Sequence, residues 1–210
     1  MNKELTDITV VLDRSGSMCS VATDIPGGFD TFIDSQKKVP GKALLTLVQF
    51  DTVYEFVHRA VDIQNVPKLE FVPRGGTALL DAMGRAIAET GERLSRMNEN
   101  DRPAKVVVVI ITDGEENASK EYTKARVAEM IKHQTEKYSW EFVFLAANQD
   151  AIKEATAFNI NAANAINYVH TKAGYNAVFE SVSSNLCNYR VGASSMGFSQ
   201  HDRDAAMDKK

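Results

Sequence analysis

Apolar positions along the chain fall into two kinds of period, and the elements they predict alternate. Asp7–Leu12 (DITVVL) and Lys105–Ile111 (KVVVVII) are continuous β-branched runs. That is the mark of strands covered on both faces. Between them, Ala43–Phe50 (ALLTLVQF) and Val53–Val57 (VYEFV) read as strands separated only by Asp51-Thr52, a hairpin that implies one antiparallel edge. Pro26-Gly27-Gly28 opens a helix carrying Phe29, Phe32 and Ile33 at i, i+3, i+4 spacing. Leu80, Met83, Ile87 and Leu94 mark a second helix that ends in the polar stretch Asn98–Arg102, and Val127, Met130, Ile131 and Gln134 mark a third. Trp140–Ala146 (WEFVFLA) is a strand, Asp150 caps a short helix running to Phe158, and Ala165–Val169 is a weak last strand. Tyr175, Val178, Phe179, Val182, Leu186 and Tyr189 form the stripe of an amphipathic helix, read as core rather than as a partner surface. From Gly192 the periodicity is lost, so residues 191–210 read as a flexible tail. Strands alternating with helices, broken by one hairpin, predict a three-layer, doubly wound α/β fold. Its sheet is mostly parallel with one antiparallel edge strand, Rossmann-like in layout.

Bulk properties narrow the classes. With 210 residues, 44% of them apolar, the chain fits a single domain over residues 1–190, including the helix at 172–190. A net charge of −4 offers no basic field for nucleic acid or for an anionic membrane. Cys19 and Cys187 are too few for a disulfide framework or a zinc site and read as thiols in a reducing compartment. MNKELTDITV lacks the apolar core of a signal peptide, and the longest apolar run, Val106–Ile111, is a strand's length. The expectation is a soluble cytoplasmic protein.

The chemistry gathers where strands end. In VVLDRSGSMC the first strand stops at Asp13, with hydroxyls at Ser15 and Ser17; Asp113 stands at the end of the KVVVVII strand. In doubly wound sheets ligands bind beyond the carboxyl ends of the strands, where the winding reverses. If those two strands are neighbours, Asp13 and Asp113 face one crevice, and two ionised carboxylates there repel unless a cation intervenes. Thr77, after Gly75-Gly76, offers a third hydroxyl, and no histidine or cysteine lies in any of these loops. An all-oxygen set favours magnesium, with manganese or calcium as substitutes. Gly16, Gly75 and Gly76 allow tight turns and close backbone approach. An inner shell of neutral hydroxyls leaves the ion electrophilic. Such a site receives a carboxylate from another molecule.

These residues carry a resemblance. Asp13-x-Ser15-x-Ser17, then Thr77, then Asp113 within ITDGEEN resembles the metal-ion-dependent adhesion site, or MIDAS, of von Willebrand factor A (VWA) domains, over roughly residues 5–170. The segments DRSGSM, GGTALLDA and TDGEEN look like the bacterial and phage intracellular branch of that family. The resemblance implies that Ser15, Ser17 and Thr77 coordinate the cation directly. Asp13 and Asp113 would act through water or as occasional direct ligands, and a partner's Asp or Glu would complete the shell. It implies a non-catalytic protein-binding module, an adaptor beside an AAA+ ATPase or in a stress-response system. The competing reading is phosphoryl transfer with Asp13 as nucleophile. Phosphatases of the haloacid dehalogenase type place a second acid two residues on, where this chain has Ser15, and no Walker lysine loop is present.

Several neighbours take plainer readings. Arg14 is either solvated or steers an incoming carboxylate. Glu115 and Glu116 read as a solvated loop, and Asp81 as an acid suited to a helix start. His58, His133, His170 and His201 lie in four separate segments without an evident acid partner. Cys19 reads as a buried, inert thiol. Asp202, Asp204 and Asp208 on the tail are candidates for visiting the metal site.

Overall fold

The computed structural model describes residues 1–147 and 150–207. Six strands form one sheet: β1 (Asn2–Asp13), β2 (Lys42–Phe50), β3 (Tyr54–Asp62), β4 (Pro103–Thr112), β5 (Glu141–Ala147) and β6 (Ala165–Tyr168). Their order is β3-β2-β1-β4-β5-β6. Every pairing is parallel except β2–β3 at one edge. The helices are α1 (Ile25–Lys37), α2 (Leu79–Ser95), α3 (Lys124–Tyr138), α4 (Ala151–Ala157), α5 (Lys172–Arg190) and α6 (Gln200–Ala206). This is the three-layer, mostly parallel architecture with one antiparallel edge that the alternation predicts.

Alternating side chains along each strand feed two separate cores. Val107, Val109 and Ile111 of β4 pack with Ile8, Val10 and Leu12 of β1 beneath α1 and α5. Val106, Val108 and Ile110 point the other way, under α2, α3 and α4. Burial on both faces is why KVVVVII carries no polar alternation. Caps set the helix starts: Thr123, Asp150 and Thr171 each accept a backbone N–H in the first turn of α3, α4 and α5. Within α5, Tyr175 is fully buried and meets Tyr168 edge-on at 5.5 Å between ring centres.

The chain runs β1, β2, β3 outward on one side, then crosses to β4 on the other. The winding therefore reverses between β1 and β4, whose register pairs Leu12 with Ile111. Asp13 and Thr112 consequently end side by side, with Asp113 the next residue.

The segment expected to be a flexible tail is instead part of the fold as far as residue 207. Met196 and Phe198 are buried in the α1/α5 core, and α6 lies against α5 and β6. Phe198 N–H donates to Ala163 O at 2.8 Å, Val169 N–H to Ala206 O at 3.0 Å, and Arg203 Nη1 to Ala165 O at 2.6 Å. Three anchoring side chains are too few to impose a period, which is why the pattern read as structureless. Asp202 closes a capping box with Ser199, and Asp204 accepts from Gln200 Nε2. Asp208 lies outside the described residues. No helix among the described residues is long and apolar enough to cross a membrane.

Candidate metal centre

Three loops meet beyond β1 and β4. The first, Arg14–Ser17, leaves β1; the second carries Gly75, Gly76 and Thr77 into α2; the third follows β4 from Asp113. Backbone bonds tie the first two together: Gly16 N–H donates to Gly75 O at 3.1 Å, and Arg74 N–H to Arg14 O at 2.8 Å. The third clasps the second, because Thr77 N–H donates to Asn117 Oδ1 at 2.9 Å and Asn117 N–H returns to Thr77 O at 3.1 Å. Gly75 has φ +70°, a left-handed conformation that glycine adopts without strain.

The side chains form a chain of hydrogen bonds from Thr112 through Asp13, Ser15 and Ser17 to Asp113. Asp13 Oδ1 accepts from Ser15 N–H at 2.7 Å and Asp13 Oδ2 from Thr112 Oγ1 at 2.7 Å. Ser15 Oγ lies 3.0 Å from Ser17 Oγ, and Ser17 Oγ donates to Asp113 Oδ1 at 2.7 Å. Thr77 Oγ1 faces the same space. A Cβ placed on Gly114 would sit 3.2 Å from it and 3.4 Å from Ser17 Oγ. The structure thus brings Asp13, Ser15, Ser17, Thr77 and Asp113 to one crevice. Asp13, Ser15, Thr77 and Asp113 are buried, whereas Ser17 is exposed, so the crevice opens to solvent on that side.

Burial sets the electrostatics. It pushes the Asp13 carboxyl up to about 6, against the Thr112 hydroxyl and the Ser15 N–H; the nearby Asp113 charge pushes the same way. Burial also raises Asp113, opposed by the Ser17 hydroxyl and by the neighbouring His170. Two desolvated carboxylates whose charged forms are disfavoured are a pair that a cation would relieve.

The donor set fits a hard divalent ion. No group of three or more His, Cys, Asp or Glu that could hold a metal occurs among the described residues, so an ion here must draw on hydroxyls. The 3.0 Å separation of the two serine oxygens matches the edge of an octahedron with bonds of about 2.1 Å, roughly 3.0 Å. Only hydrogen fits at Gly114 without crowding the hydroxyls.

Some side chains differ from expectation. Arg14 is neither solvated nor aimed outward. It is buried, donating to Asp51 Oδ2 at 2.9 Å, Gln49 Oε1 at 3.2 Å and Glu55 Oε2 at 2.7 Å. Arg74 reaches the same Asp51 oxygen at 2.8 Å, so Asp51 holds the first two loops together. Glu116 is no loose surface charge: it accepts from Leu80 N–H, at the start of α2, and from Ala118 and Ser119 N–H. Asp81 accepts from the N–H groups of Lys120, Glu121 and Tyr122, pinning the third loop to α2. Cys19 is exposed, not buried. His170 does have an acid partner, with Nε2 3.2 Å from Asp113 Oδ2. Thr112, Asn117, Asp51 and His170 are the participants that the motif does not announce. Thr112 could have been found as the hydroxyl flanking Asp113 at a strand end. His170 could have been suspected only from its place after the last strand.

The sheet order, the single antiparallel edge and the loops at the β1/β4 reversal define the fold of a VWA domain. No family model matches the chain, and no curated protein matches it. Solved structures do. Proximal thread matrix protein 1 (PTMP1) from the mussel byssus superposes with a TM-score of 0.60 at 16% identity, over 87% of this chain and 46% of that one. A second structure of it, with a zinc-occupied MIDAS motif, gives 0.59 at 14% identity, over 87% and 46%. A von Willebrand factor type A protein from Catenulispora acidiphila gives 0.56 at 16% identity, over 86% and 42%. The chain spans under half the length of these structures, and at such identities the likeness is one of fold.

Proposed function

We propose that the chain is a non-catalytic module that captures an acidic side chain of a partner protein through a divalent cation. Ser15, Ser17 and Thr77 hold the ion, and Asp13 and Asp113 stand behind them. The observation that carries this reading is the convergence of three hydroxyls and two buried carboxylates in a crevice open at Ser17. Bound there, the cation supplies a positive centre with a coordination position for a visiting carboxylate. The residues do the rest. Thr112 and Ser15 N–H orient Asp13, Ser17 orients Asp113, and the Thr77–Asn117 clasp sets the third hydroxyl.

Magnesium suits the oxygen set, with manganese or calcium as substitutes. The zinc-occupied site of the mussel protein supports a divalent ion on this scaffold. The bacterial look of DRSGSM, GGTALLDA and TDGEEN supports an intracellular adaptor, with an AAA+ ATPase or a stress-response assembly as partner. Phosphoryl transfer by Asp13 is disfavoured, because Ser15 stands where a second acid would be needed as proton donor.

The test is a magnesium titration followed by thermal unfolding, on the wild type and on Asp13→Asn and Ser17→Ala. A cation at 100 times its dissociation constant should raise stability by roughly 2.7 kcal/mol in the wild type. The variants should lose that gain. An immobilised glutamate peptide should then retain the protein in magnesium and release it in EDTA, whereas its glutamine counterpart should not bind. Identical melting of wild type and variants in magnesium and EDTA overturns the reading.

A further inference from the structure

We propose that the cleft between α2 and α3, at the opposite end of the sheet from the metal centre, binds a small organic anion with an aromatic body. The inference goes beyond the proposed function and does not depend on it.

The cleft has a volume of about 870 Å3, within the roughly 300–1,000 Å3 of small-molecule sites. It lies beside the last turns of both helices, where β4 and β5 begin. Two glycines of α2 show why space is left there. Gly84 meets the third loop closely: a Cβ on it would be 2.3 Å from the Tyr122 ring, so packing demands glycine. Gly91, two turns further on, is different. A Cβ there would lie 3.4 Å from Gln134 Nε2 and 4.0 Å from the Trp140 ring, which are ordinary contacts. Its φ is not positive either. A glycine inside a helix is less favourable than alanine, and neither packing nor backbone conformation calls for one at 91. Its effect is to leave the space beside Trp140 open.

The lining is apolar within and cationic around. Leu94, Val106 and Trp140 are buried residues of the lining, and Ile87 and Met130 extend it. Tyr138 and His133 add a second aromatic wall, packed edge-on at 5.7 Å between ring centres. The charges do not balance. Glu92 is held by Arg96 at 2.5 Å, and Glu129 by Arg126 at 3.4 Å. Arg102 and Lys137 line the same cleft with no acid partner among the described residues. Carbonyl oxygens of Met97 and Ser95 fix the Arg102 guanidinium at 3.1 and 2.9 Å, and Lys137 Nζ stands 5.4 Å from the Tyr138 ring centre.

That lining defines the ligand class. Apolar and aromatic walls take an apolar body, and aromatic rings gain from edge-on or offset contact with one another. Two cations without acids then favour a ligand that brings its own negative charge. In a chain of net charge −4, such a pair beside an apolar cleft is a local exception.

The test uses the full chain and the probe anilinonaphthalene sulfonate, with uncharged phenylnaphthylamine as its counterpart. Trp140 is the only tryptophan, so loss of indole emission follows binding, and variants place it. The wild type should bind one equivalent of the sulfonate saturably. Gly91→Leu fills the cleft from α2 and should weaken both probes by at least about tenfold, while melting no lower than the wild type. Ala88→Phe, at an exposed position of α2 on the same cleft, should do likewise and replaces Gly91→Leu if that variant melts low. Lys137→Glu should weaken the sulfonate by about threefold or more and leave the uncharged probe unchanged. Sulfonate binding that survives in the filled variants overturns the inference, as does an equal affinity in Lys137→Glu or no saturable binding at millimolar probe. A wild-type dimer that Gly91→Leu dissociates in sedimentation also overturns it, since a second copy then covers the cleft. None of these outcomes bears on the metal centre, whose own test is the magnesium titration.

Discussion

Asp13 carries the sharpest conflict in the molecule. Packing takes it out of water, while Thr112 and Ser15 spend their hydrogen bonds on keeping it ionised. Burial wins, and the folded value of about 6 lies above the ordinary 3.8. Without a cation, Asp13 therefore contributes stability that is complete below the unfolded value and is lost as pH rises through about 6. A bound ion reverses that sign by favouring the charged form. The stabilisation by magnesium should thus be small near about pH 5 and should grow to a plateau above about pH 7. Melting curves with magnesium and with EDTA across that range check this, and a pH-independent difference would contradict it. Gly114 bears on the same cradle. Gly114→Ala puts a methyl 3.2 Å from Thr77 Oγ1 and 3.4 Å from Ser17 Oγ. It should keep the fold but weaken magnesium binding by about tenfold, in line with an overpacking cost of about 1–3 kcal/mol. At this scale the five motif residues were legible because each stands at a strand end or in a glycine turn. His170 was not, since its relation to Asp113 exists only after β6 takes its place in the sheet.

At the scale of elements, the β2–β3 hairpin does more than edge the sheet. Its Asp51 accepts from Arg14 and Arg74 side chains and from Val53 N–H, and its carbonyl accepts from Ala78 N–H. Burial alone would raise the Asp51 carboxyl, but the hydrogen bonds from Arg74, Val53 and Arg14 hold it below the usual range. Asp51→Ala leaves Arg14 buried without its acid and should lower stability by about 3 kcal/mol, the scale of a broken buried pair. Magnesium affinity should fall with it, because Arg14 and Arg74 flank the first two metal loops. Urea unfolding and calorimetry read the two effects separately. The hairpin was expected from its two-residue connection, but not its extent. β3 runs on to Asp62 through register shifts against β2, with Ala60 at φ +46°, and such irregularity erases the period of two.

For the whole molecule, the C-terminal segment is a structural part. Met196→Ala removes a fully buried side chain from the α1/α5 core and should cost about 2–5 kcal/mol. Truncation after Arg190 should cost at least as much. An unchanged denaturation midpoint in either variant would restore the picture of a loose tail. The same segment holds Val169 through Ala206 O, one residue from His170.

The sequence by itself determined the layered α/β class, the parallel sheet with one antiparallel edge, and the residues that stand at its strand ends. These follow from short-range periods, from continuous β-branched runs, and from where those runs stop. Tertiary structure alone decided the rest. The β1–β4 adjacency sets Asp13 beside Thr112. The hairpin turns Arg14 inward to Asp51. The last strand carries His170 to Asp113, and α6 folds back over α5. Each depends on how elements far apart in the chain pack against one another, and a period of two or 3.6 residues holds no record of that.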